Sequence, residues 1–470
     1  MADTGHKGPG HQGVFDVAGF LEGLRITPFH TRLVLLSCLI TFFDGLDFAL
    51  ISYTAPYMRD EMQPADTMYG WMLTASVLGQ MFGSLVCANI ADRVGRRPVI
   101  LFCTVLAAIT TILTGLATTP EAVVIWRFLC GLVIGGLLPV AWALNIEAMP
   151  KARRATVVAI IMFGFSLGAS FAGPVTNLVA PDHGWHMVYF VSGAATFLLS
   201  LVLISTLPES ARFLVSIGAP RERIEPLLRR FDPSFQASGY SGFVLSDEKP
   251  SGASNRSPLS MFLALFKGPL AIITLLIWGA YFASSMGIYL KSQLGPTFLE
   301  DLGIDRQLAA WIGAFGGIAG AIAGMLLLGF TEKRGPKWVA LFPAIATPIL
   351  FLIGFGWADG WLFLPAIIIG SILVGGGHAA VISITSIYYP SSVRSNAGGW
   401  ASFVAKIGGS AAPLIGSQFL GSAEQVLKSY ILAGACTLAI TLCVLTLAYF
   451  AGRLDVHGEE EKLEPATATA

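Results

Sequence analysis

The chain has 470 residues, of which 54% are hydrophobic and 12% are charged, and its net charge is +0. A water-soluble domain carries about 25% charged residues, so this composition excludes an ordinary soluble protein and favours one that lies in a lipid bilayer. The balanced charge gives no support for nucleic-acid binding.

Long apolar segments follow one another along most of the chain. A membrane-spanning helix needs roughly 20 predominantly apolar residues. Twelve segments meet this requirement, over residues 33–57, 70–91, 98–118, 122–147, 155–179, 187–206, 268–291, 307–330, 338–356, 361–389, 396–420 and 429–451. The sequence therefore predicts an all-α membrane protein with twelve transmembrane helices. The first 32 residues contain no apolar run, so no cleavable signal peptide is expected.

The basic residues of the predicted loops are distributed unequally between the two sides of the membrane. Loops on the cytoplasmic side of membrane proteins carry an excess of Lys and Arg. If the N-terminus is cytoplasmic, the Lys and Arg residues that lie outside are only Arg59, Lys291, Arg306 and Lys428. Arg127 and Lys406 fall within spans. We therefore expect both termini to be cytoplasmic.

A polar stretch separates span six from span seven. It contains the basic run RERIEPLLRR (221–230), which predicts a short surface helix. It also contains SDEKPSGASNRSP (246–258), whose composition is typical of a flexible linker. The predicted organisation is a cytoplasmic N-terminal segment (1–32), a six-helix bundle (33–208), a cytoplasmic central loop (209–266), a second six-helix bundle (267–452) and a cytoplasmic tail (453–470).

The two predicted bundles repeat each other at a constant offset of 240 residues. The pairs that coincide are Pro56 and Pro296, Trp71 and Trp311, Pro150 and Pro390, and Arg154 and Arg394. The loop ADRVGRRPV (91–99) falls on TEKRGPKWV (331–339). Internal repeats in transporters place the substrate site between the repeats, near the middle of the membrane. We therefore expect a central site between the two bundles.

Two aspartates fall near the middle of span one. Asp44 and Asp47 are three residues apart, a spacing that places both on one face of a helix. A charge at this depth costs at least about 2.5–3.5 kcal/mol, so it normally faces a cavity and marks a pathway. We predict that one or both carry a coupling proton, because two neighbouring carboxylates repel each other when both are charged. The alternative is that they anchor the packing of helices through hydrogen bonds.

A lysine lies at a similar depth in span eleven. The ammonium group of Lys406 needs an anionic partner if it is buried. We expect that partner to be a substrate carboxylate. One of the span-one aspartates, in the absence of substrate, is a second possibility, and a permanent structural ion pair is a third.

Neutral polar residues at mid-membrane depth complete the predicted substrate site. His378 is the only histidine inside a predicted span, and we expect it to hydrogen-bond to substrate or to relay a proton. A hydrogen-bonded core histidine is the alternative. Tyr281, Ser284 and Gln80 are expected to supply further hydrogen bonds to the substrate.

Further charged residues are expected to support coupling and gating. Arg127, in span four, is expected to pair with a span-one aspartate or to help relay the proton; alternatively its side chain extends to the membrane interface. A charge network at the cytoplasmic ends of the spans is expected to stabilise one access state. Its predicted members are Asp92, Arg93, Arg96, Arg97, Glu147, Arg154, Glu332 and Arg394.

The sequence lacks the motifs of an ATP-driven pump or a metalloenzyme. It contains no P-loop GxxxxGK[ST], no HExxH and no clustered metal ligands. We therefore expect no enzyme activity, no cofactor and no metal site. A membrane-embedded sensor or enzyme of another kind remains the alternative from a different class.

Several motifs resemble those of the major facilitator superfamily. DRVGRRPVI (92–100) is similar to the signature loop of that family, although Ala88 stands where the family has Gly. RFLCGLVIGG (127–136), GFSLGASFAGP (164–174) and LPESARFL (207–214) are similar to three further family motifs. The resemblance implies two six-helix pseudo-repeats and secondary transport by alternating access.

Span one suggests a narrower group within that family. FFDGLDFALISYTAP (42–56) resembles the DGxD signature of the aromatic acid/proton symporters, and Arg394 followed twelve positions later by Lys406 is similar to their pair of basic residues, the second of which is usually Arg. The resemblance implies proton-coupled import of benzoate-type acids such as 4-hydroxybenzoate or protocatechuate. Transport of another organic acid and proton/drug antiport are the alternatives within the same fold. The resemblance also implies a location in a bacterial inner membrane, and we expect the chain to act as a monomer.

Overall fold

The computed structural model describes residues 13–236, 240–247, 262–268, 270–389 and 391–451, and these residues are mostly helical. The helices before the central loop and within it are α1 Val17–Gly23, α2 Pro28–Met62, α3 Asp66–Val94, α4 Arg96–Gly115, α5 Pro120–Ile134, α6 Leu137–Ala148, α7 Arg154–Thr206, α8 Ala211–Ser216 and α9 Arg221–Phe231. Those that follow are α10 Leu270–Asp301, α11 Arg306–Arg334, α12 Leu341–Gly354, α13 Phe363–Val381, α14 Ile384–Tyr388, α15 Ser391–Gly416 and α16 Ala423–Ala451.

Most of these helices are long and apolar enough to cross a bilayer. Ten helical stretches of the described residues meet both criteria. One of them, Lys151–Thr206, contains the non-helical residue Gly184, which separates predicted span five from predicted span six. Helix α15 is not among the ten, but its 26 residues overlap predicted span eleven. The structure is therefore consistent with twelve spans and confirms the helical membrane fold.

The helices repeat at the predicted offset of 240 residues. Shifted by this amount, the bounds of α3 coincide with those of α11, and α2 largely overlaps α10. The connection that follows α3 and α11 contains a glycine at the same position in both copies, Gly95 with φ of 111° and Gly335 with φ of 101°. Positive φ is strained for residues other than glycine, so both copies of the loop depend on the same backbone turn.

Equivalent helices pack in the same way in the two halves. Helix α2 packs on α7 and α3 packs on α5, while α10 packs on α15 and α11 packs on α13. The halves meet where α2 contacts α10, α3 contacts α15 and α7 contacts α11. The space enclosed by these three contacts is where a central site can form.

Helices α2 and α7 lie close together because one of the contacting residues has no side chain. A Cβ atom on Gly168 would overlap the carbonyl oxygen of Phe42. Small residues at such contacts let membrane helices approach each other closely. Part of the GFSLGASFAGP motif (164–174) is thus explained by packing, and this packing fixes the position of the helix that carries Asp44 and Asp47.

Loops and short helices cover one end of the bundle, called the terminal end below. Here strand β1 (Val14–Asp16) pairs in parallel with β2 (Gly242–Val244). The surface helix predicted in the central loop is confirmed as α9. The tail 453–470, residues 1–12 of the N-terminal segment and residues 248–261 of the central loop lie outside the described residues, and the predicted domain boundaries stay predictions. The other end, where α2 connects to α3 and α10 to α11, is called the opposite end.

Candidate functional site

A cavity of about 370 Å³ lies between the two halves. This volume is within the range of sites for small ligands, roughly 300–1,000 Å³. Helices α2 and α7 line it from the first half, and α10, α11 and α13 line it from the second half, with one residue from α12 and three from α16. Its aromatic lining residues are Phe48, Tyr53, Phe165, Tyr289, Phe298 and Tyr430. Lys291 and His378 also line it, and no Asp or Glu does so in the part of the chain that the structure describes.

Asp44 is buried close to the cavity without a hydrogen-bond partner. Its side chain lies near the middle of α2, the residue is 3% exposed, and neither carboxylate oxygen has a hydrogen bond among the described residues. Buried polar groups are normally hydrogen-bonded, so an unsatisfied one calls for a functional explanation. Asp44 lies within electrostatic range of Asp47, Lys406 and Tyr289, the last of which lines the cavity.

Lys406 lies on α15, in the half opposite to Asp44. The two side chains are within electrostatic range of each other, although no described ion pair of 4.0 Å or less includes Lys406. Lys406 does not line the cavity. The structure therefore places Lys406 near Asp44. A span-one aspartate was one of the three partners predicted for this lysine, beside a substrate carboxylate and a permanent structural ion pair.

Asp47 is held in a hydrogen-bonded ion pair inside the first half. Its carboxylate accepts hydrogen bonds from Arg127 at 3.1 and 3.4 Å, from the Thr111 hydroxyl and from the Cys130 thiol. Arg127 is fully buried and also donates to the Thr114 hydroxyl at 3.0 Å. The predicted pairing of Arg127 with a span-one aspartate is thus seen in the structure, and Arg127 does not extend to the membrane interface.

The Arg127 guanidinium also lies over the ring of Tyr189, with 5.1 Å between its Cζ atom and the ring centroid. The Tyr189 hydroxyl is 2.9 Å from the Thr54 hydroxyl on α2. The ion pair therefore has polar or aromatic partners on α2, α4, α5 and α7, four helices of the same half. These contacts stabilise the packing of the four helices within that half.

The neutral polar residues predicted for the substrate site divide into two groups. His378 lines the cavity, and its Nδ1 atom is 2.9 Å from the hydroxyl of the buried Ser284. Tyr281 donates to the carbonyl of Ile382 at 2.6 Å and does not line the cavity. Gln80 is buried with an unbonded Nε2 atom and lies outside the lining as well. The structure thus places His378, with Ser284 behind it, at the cavity, and Tyr281 and Gln80 elsewhere.

The predicted charge network at the terminal end is centred on Arg96. Its guanidinium is 2.8 Å from Glu147 and 3.0 Å from Asp92, and Glu147 also accepts a hydrogen bond from Ser210. Glu209 was not among the predicted members of the network. Its carboxylate accepts a hydrogen bond from the backbone amide of Arg96 at 3.0 Å. All of these partners belong to α3–α6 and the segment that follows α7.

The side chains of the remaining predicted network members form no ion pair with this group in the described structure, although the backbone amide of Arg97 also donates to Glu209 at 3.2 Å. Arg154 donates to the carbonyl of Met149 at 3.1 Å, and Arg394 donates to the carbonyl of Tyr389 at 3.2 Å. These two contacts are equivalent under the 240-residue offset, which indicates a shared structural role. Three further residues were predicted members of the network. The side chain of Arg97 donates to the carbonyl of Ile204, and the side chains of Arg93 and Glu332 are exposed.

Contacts toward the opposite end join the two halves. Ser52 donates to Gln293 at 2.6 Å, and Tyr69 is 2.7 Å from the Thr297 hydroxyl. An inter-half charge cluster lies further out, formed by Arg59, Asp60, Asp301 and Arg306. Arg59 is 3.0 Å from Asp301 and Arg306 is 2.9 Å from Asp60. The halves are therefore closed against each other between the cavity and the opposite end.

Lys291 is a lining residue that was predicted to lie outside the membrane, at the end of span seven (268–291). Helix α10 continues ten residues beyond it, to Asp301, so Lys291 lies inside the helix. The repeat contained the missing signal, because at the 240-residue offset Lys291 corresponds to Ile51, inside span one. The Pro56 and Pro296 pair indicated in the same way that the two helices extend equally far.

Two repeated helical halves around a central cavity define this chain as a polytopic membrane transporter. The chain belongs to the Major Facilitator Superfamily, whose family profile matches residues 37–413 and 277–468. Because the chain belongs to this family, it is a transporter and not an enzyme.

Several curated relatives match most of the chain. A 4-hydroxybenzoate transporter, PcaK, of Pseudomonas aeruginosa is 30% identical over 91% of this chain and 95% of the relative. A gallate transporter of Pseudomonas putida is 26% identical over 92% and 94%, respectively. A benzoate transport protein of Acinetobacter baylyi is 27% identical over 85% of both chains.

Solved structures share the fold. An inward-facing, unoccupied bacterial homologue of the human lysosomal transporter Spinster matches with a TM-score of 0.68 and 17% identity, over 91% of this chain and 98% of that one. The inward open conformation of the xylose transporter XylE from Escherichia coli matches with a TM-score of 0.69 and 17% identity, over 90% and 96%.

Proposed function

We propose that this chain imports small aromatic carboxylates of the 4-hydroxybenzoate, protocatechuate and benzoate class together with a proton, as a monomer in a bacterial inner membrane. The curated relatives support the substrate class, since relatives named as 4-hydroxybenzoate, gallate and benzoate transporters match most of the chain. The family supports secondary transport, in which the two halves alternate access to a central site.

The observation that carries this proposal is the composition of the central cavity. Aromatic side chains such as Phe48, Phe165 and Tyr289 supply surfaces on which an aromatic ring can stack. Lys291 supplies a positive charge, and the described lining contains no carboxylate that would repel an anion. These features suit a small, flat anion better than a sugar or a cation.

Asp44 is the proposed carrier of the coupling proton. Its carboxylate has no hydrogen bond in the described structure, whereas that of Asp47 is occupied by Arg127. Asp44 and Lys406 lie in different halves and within electrostatic range of each other. A proton on Asp44 removes an attraction between the halves, so proton binding and release would bias their movement relative to each other.

The terminal end is proposed to be the cytoplasmic end, in keeping with the Lys and Arg bias of the loops. The contacts that join the halves toward the opposite end would then close the external side, as in Arg59 with Asp301. The structure would accordingly be an inward-facing state.

Uptake in proteoliposomes with and without an imposed pH gradient tests the proposed function. Radiolabelled 4-hydroxybenzoate should accumulate several-fold when the outside is acidic, and a protonophore should abolish the accumulation. Unlabelled benzoate and protocatechuate should compete, whereas succinate and xylose should not. Uptake that ignores the pH gradient would contradict proton symport, and competition by succinate alone would indicate an aliphatic acid as the cargo.

A further inference from the structure

Lys291 has an unusual position for a lysine in a membrane helix. It lies within α10, ten residues before the end of that helix, and its side chain lines the cavity between the halves. Lysine side chains near helix ends can reach the membrane interface, but this one points to the protein interior. Its charge is therefore placed where a transported molecule would be bound.

The ammonium group of Lys291 has a neutral partner only. Its Nζ atom donates to the backbone carbonyl of Ser371 on α13 at 3.2 Å. No described carboxylate lies within 4.0 Å of it, and no described acidic residue is within electrostatic range. An ammonium group has three N–H donors, so a single carbonyl leaves donors available.

Two glycines of the helices that face Lys291 lie next to its ammonium group and line the same cavity. A Cβ atom built on Gly316 or on Gly375 would be 3.9 Å from Nζ, so both helices present bare backbone there. A side chain at either position would contact the ammonium group itself. The described structure thus combines a half-buried cation, spare donors and a cavity beside them.

A charge held inside a membrane protein without a counter-charge is costly, and a bound anion can supply the counter-charge. We propose that Lys291 anchors the carboxylate of the substrate in the central cavity, while Lys406 serves as the partner of Asp44. This inference rests on the proposed function, because it takes an aromatic carboxylate as the cargo. It divides the two mid-membrane lysines into one that binds the substrate and one that couples the halves.

His378 offers a second polar contact in the cavity that Lys291 lines. It lies one turn after Gly375 on α13, on the same helix face, and residues at this spacing are about 5–6 Å apart. Ser284 occupies its Nδ1 atom, and no described hydrogen bond uses Nε2, so that nitrogen is available to a ligand in the cavity. A polar substituent of a ring bound in the same cavity as Lys291 can therefore hydrogen-bond to His378.

Equilibrium binding to the purified full-length protein in nanodiscs tests the inference. Wild-type protein should bind 4-hydroxybenzoate more tightly than the neutral 4-hydroxybenzamide. Lys291→Gln should weaken binding of the acid about tenfold or more and leave binding of the amide unchanged, because only the acid loses an ionic contact. Lys291→Arg, which keeps the charge, should retain the preference for the acid even if packing lowers the affinity for both.

Two matched variants separate this role from the alternatives. Lys428→Gln, which removes an exposed lysine paired with Glu424 on its own helix, should bind both compounds like wild type. Lys406→Gln should keep the preference for the acid. The inference is overturned if Lys291→Gln melts at the wild-type temperature and binds the acid normally, or if Lys406→Gln alone removes the preference. If wild-type protein binds no aromatic acid, the proposed function itself fails and this inference fails with it.

Discussion

Asp44 and Asp47 differ completely in their surroundings, although they are three residues apart on one helix face. Asp47 accepts hydrogen bonds from Arg127, Thr111 and Cys130, so its charge is compensated within the first half. Asp44 has no hydrogen bond among the described residues and is in range of Lys406 in the second half. The first arrangement stabilises a structure, and the second leaves a group free to change its protonation state.

Asparagine at each position should separate these two roles. Asp44→Asn should lose pH-driven accumulation of 4-hydroxybenzoate but retain exchange of labelled for unlabelled substrate across the membrane, because exchange requires no net proton movement. Its melting temperature should fall less than that of Asp47→Asn, since it loses the attraction to Lys406 but no hydrogen bond or close ion pair. Uptake assays in proteoliposomes and thermal melting of the purified protein measure these properties.

Asp47→Asn is the comparison. It leaves the buried guanidinium of Arg127 without its counter-charge, and removing one partner of a buried pair costs about 3–5 kcal/mol in proteins. The melting temperature should therefore fall clearly. If Asp44→Asn is the less stable of the two, or if it still accumulates substrate in response to a pH gradient, then the assignment of roles is wrong.

Sequence patterns located the mid-membrane charges but not their partners. The depth of Asp44, Asp47, Lys406 and His378 follows from counting residues along apolar segments. Which side chains meet depends on how distant helices are rotated against one another, and the pairs of Asp44 with Lys406 and of His378 with Ser284 bring together residues far apart in sequence. For this reason the charge pattern alone left three possible partners for Lys406.

At the scale of helices, the repeat was more informative than hydropathy. Apolar content placed the end of span seven at residue 291, where the first charged residue occurs, whereas α10 reaches Asp301. A single lysine lowers local hydropathy without ending a helix, because its backbone hydrogen bonds are unaffected. The offset relates α10 to α2 and predicts the longer helix correctly.

The contact between α2 and α7 gives a prediction at the same scale. Gly168→Ala should destabilise the protein strongly, because even a methyl group overlaps the carbonyl oxygen of Phe42 and forces two helices apart. Overpacking of this kind typically costs about 1–3 kcal/mol. Gly329→Ala is the matched control, since a Cβ atom there meets no atom within 4 Å. Thermal melting of both variants should show a clear loss for the first only; equal melting temperatures would contradict the close contact.

At the scale of the whole molecule, the two ends of the bundle differ in how the halves meet. Toward the opposite end, Ser52 with Gln293 and Tyr69 with Thr297 join the halves next to the cavity, and the inter-half charge cluster joins them further out. At the terminal end, Arg96 and Glu147 pair within the first half. The network predicted there by the sequence thus stabilises one half, while the contacts between halves were not predicted.

The inter-half charge cluster should contribute to keeping the opposite end closed. Each of its two bridging pairs is partly exposed, and such pairs contribute about 0.2–1 kcal/mol. Replacing both arginines, in the double variant Arg59→Gln/Arg306→Gln, should therefore shift the equilibrium toward opening at this end by about two- to thirtyfold.

Distances between spin labels on the two halves, attached at Thr67→Cys and Gln307→Cys in a background without the native cysteines, measure this shift. The double variant should increase the population with a longer distance. Lys428→Gln removes an ion pair at the same end that lies within one helix, so it should leave the distance distribution unchanged. An unchanged distribution in the double variant would show that the buried contacts of Ser52 and Tyr69 are sufficient to hold the end closed, and that the charges at its surface do not control access to the cavity.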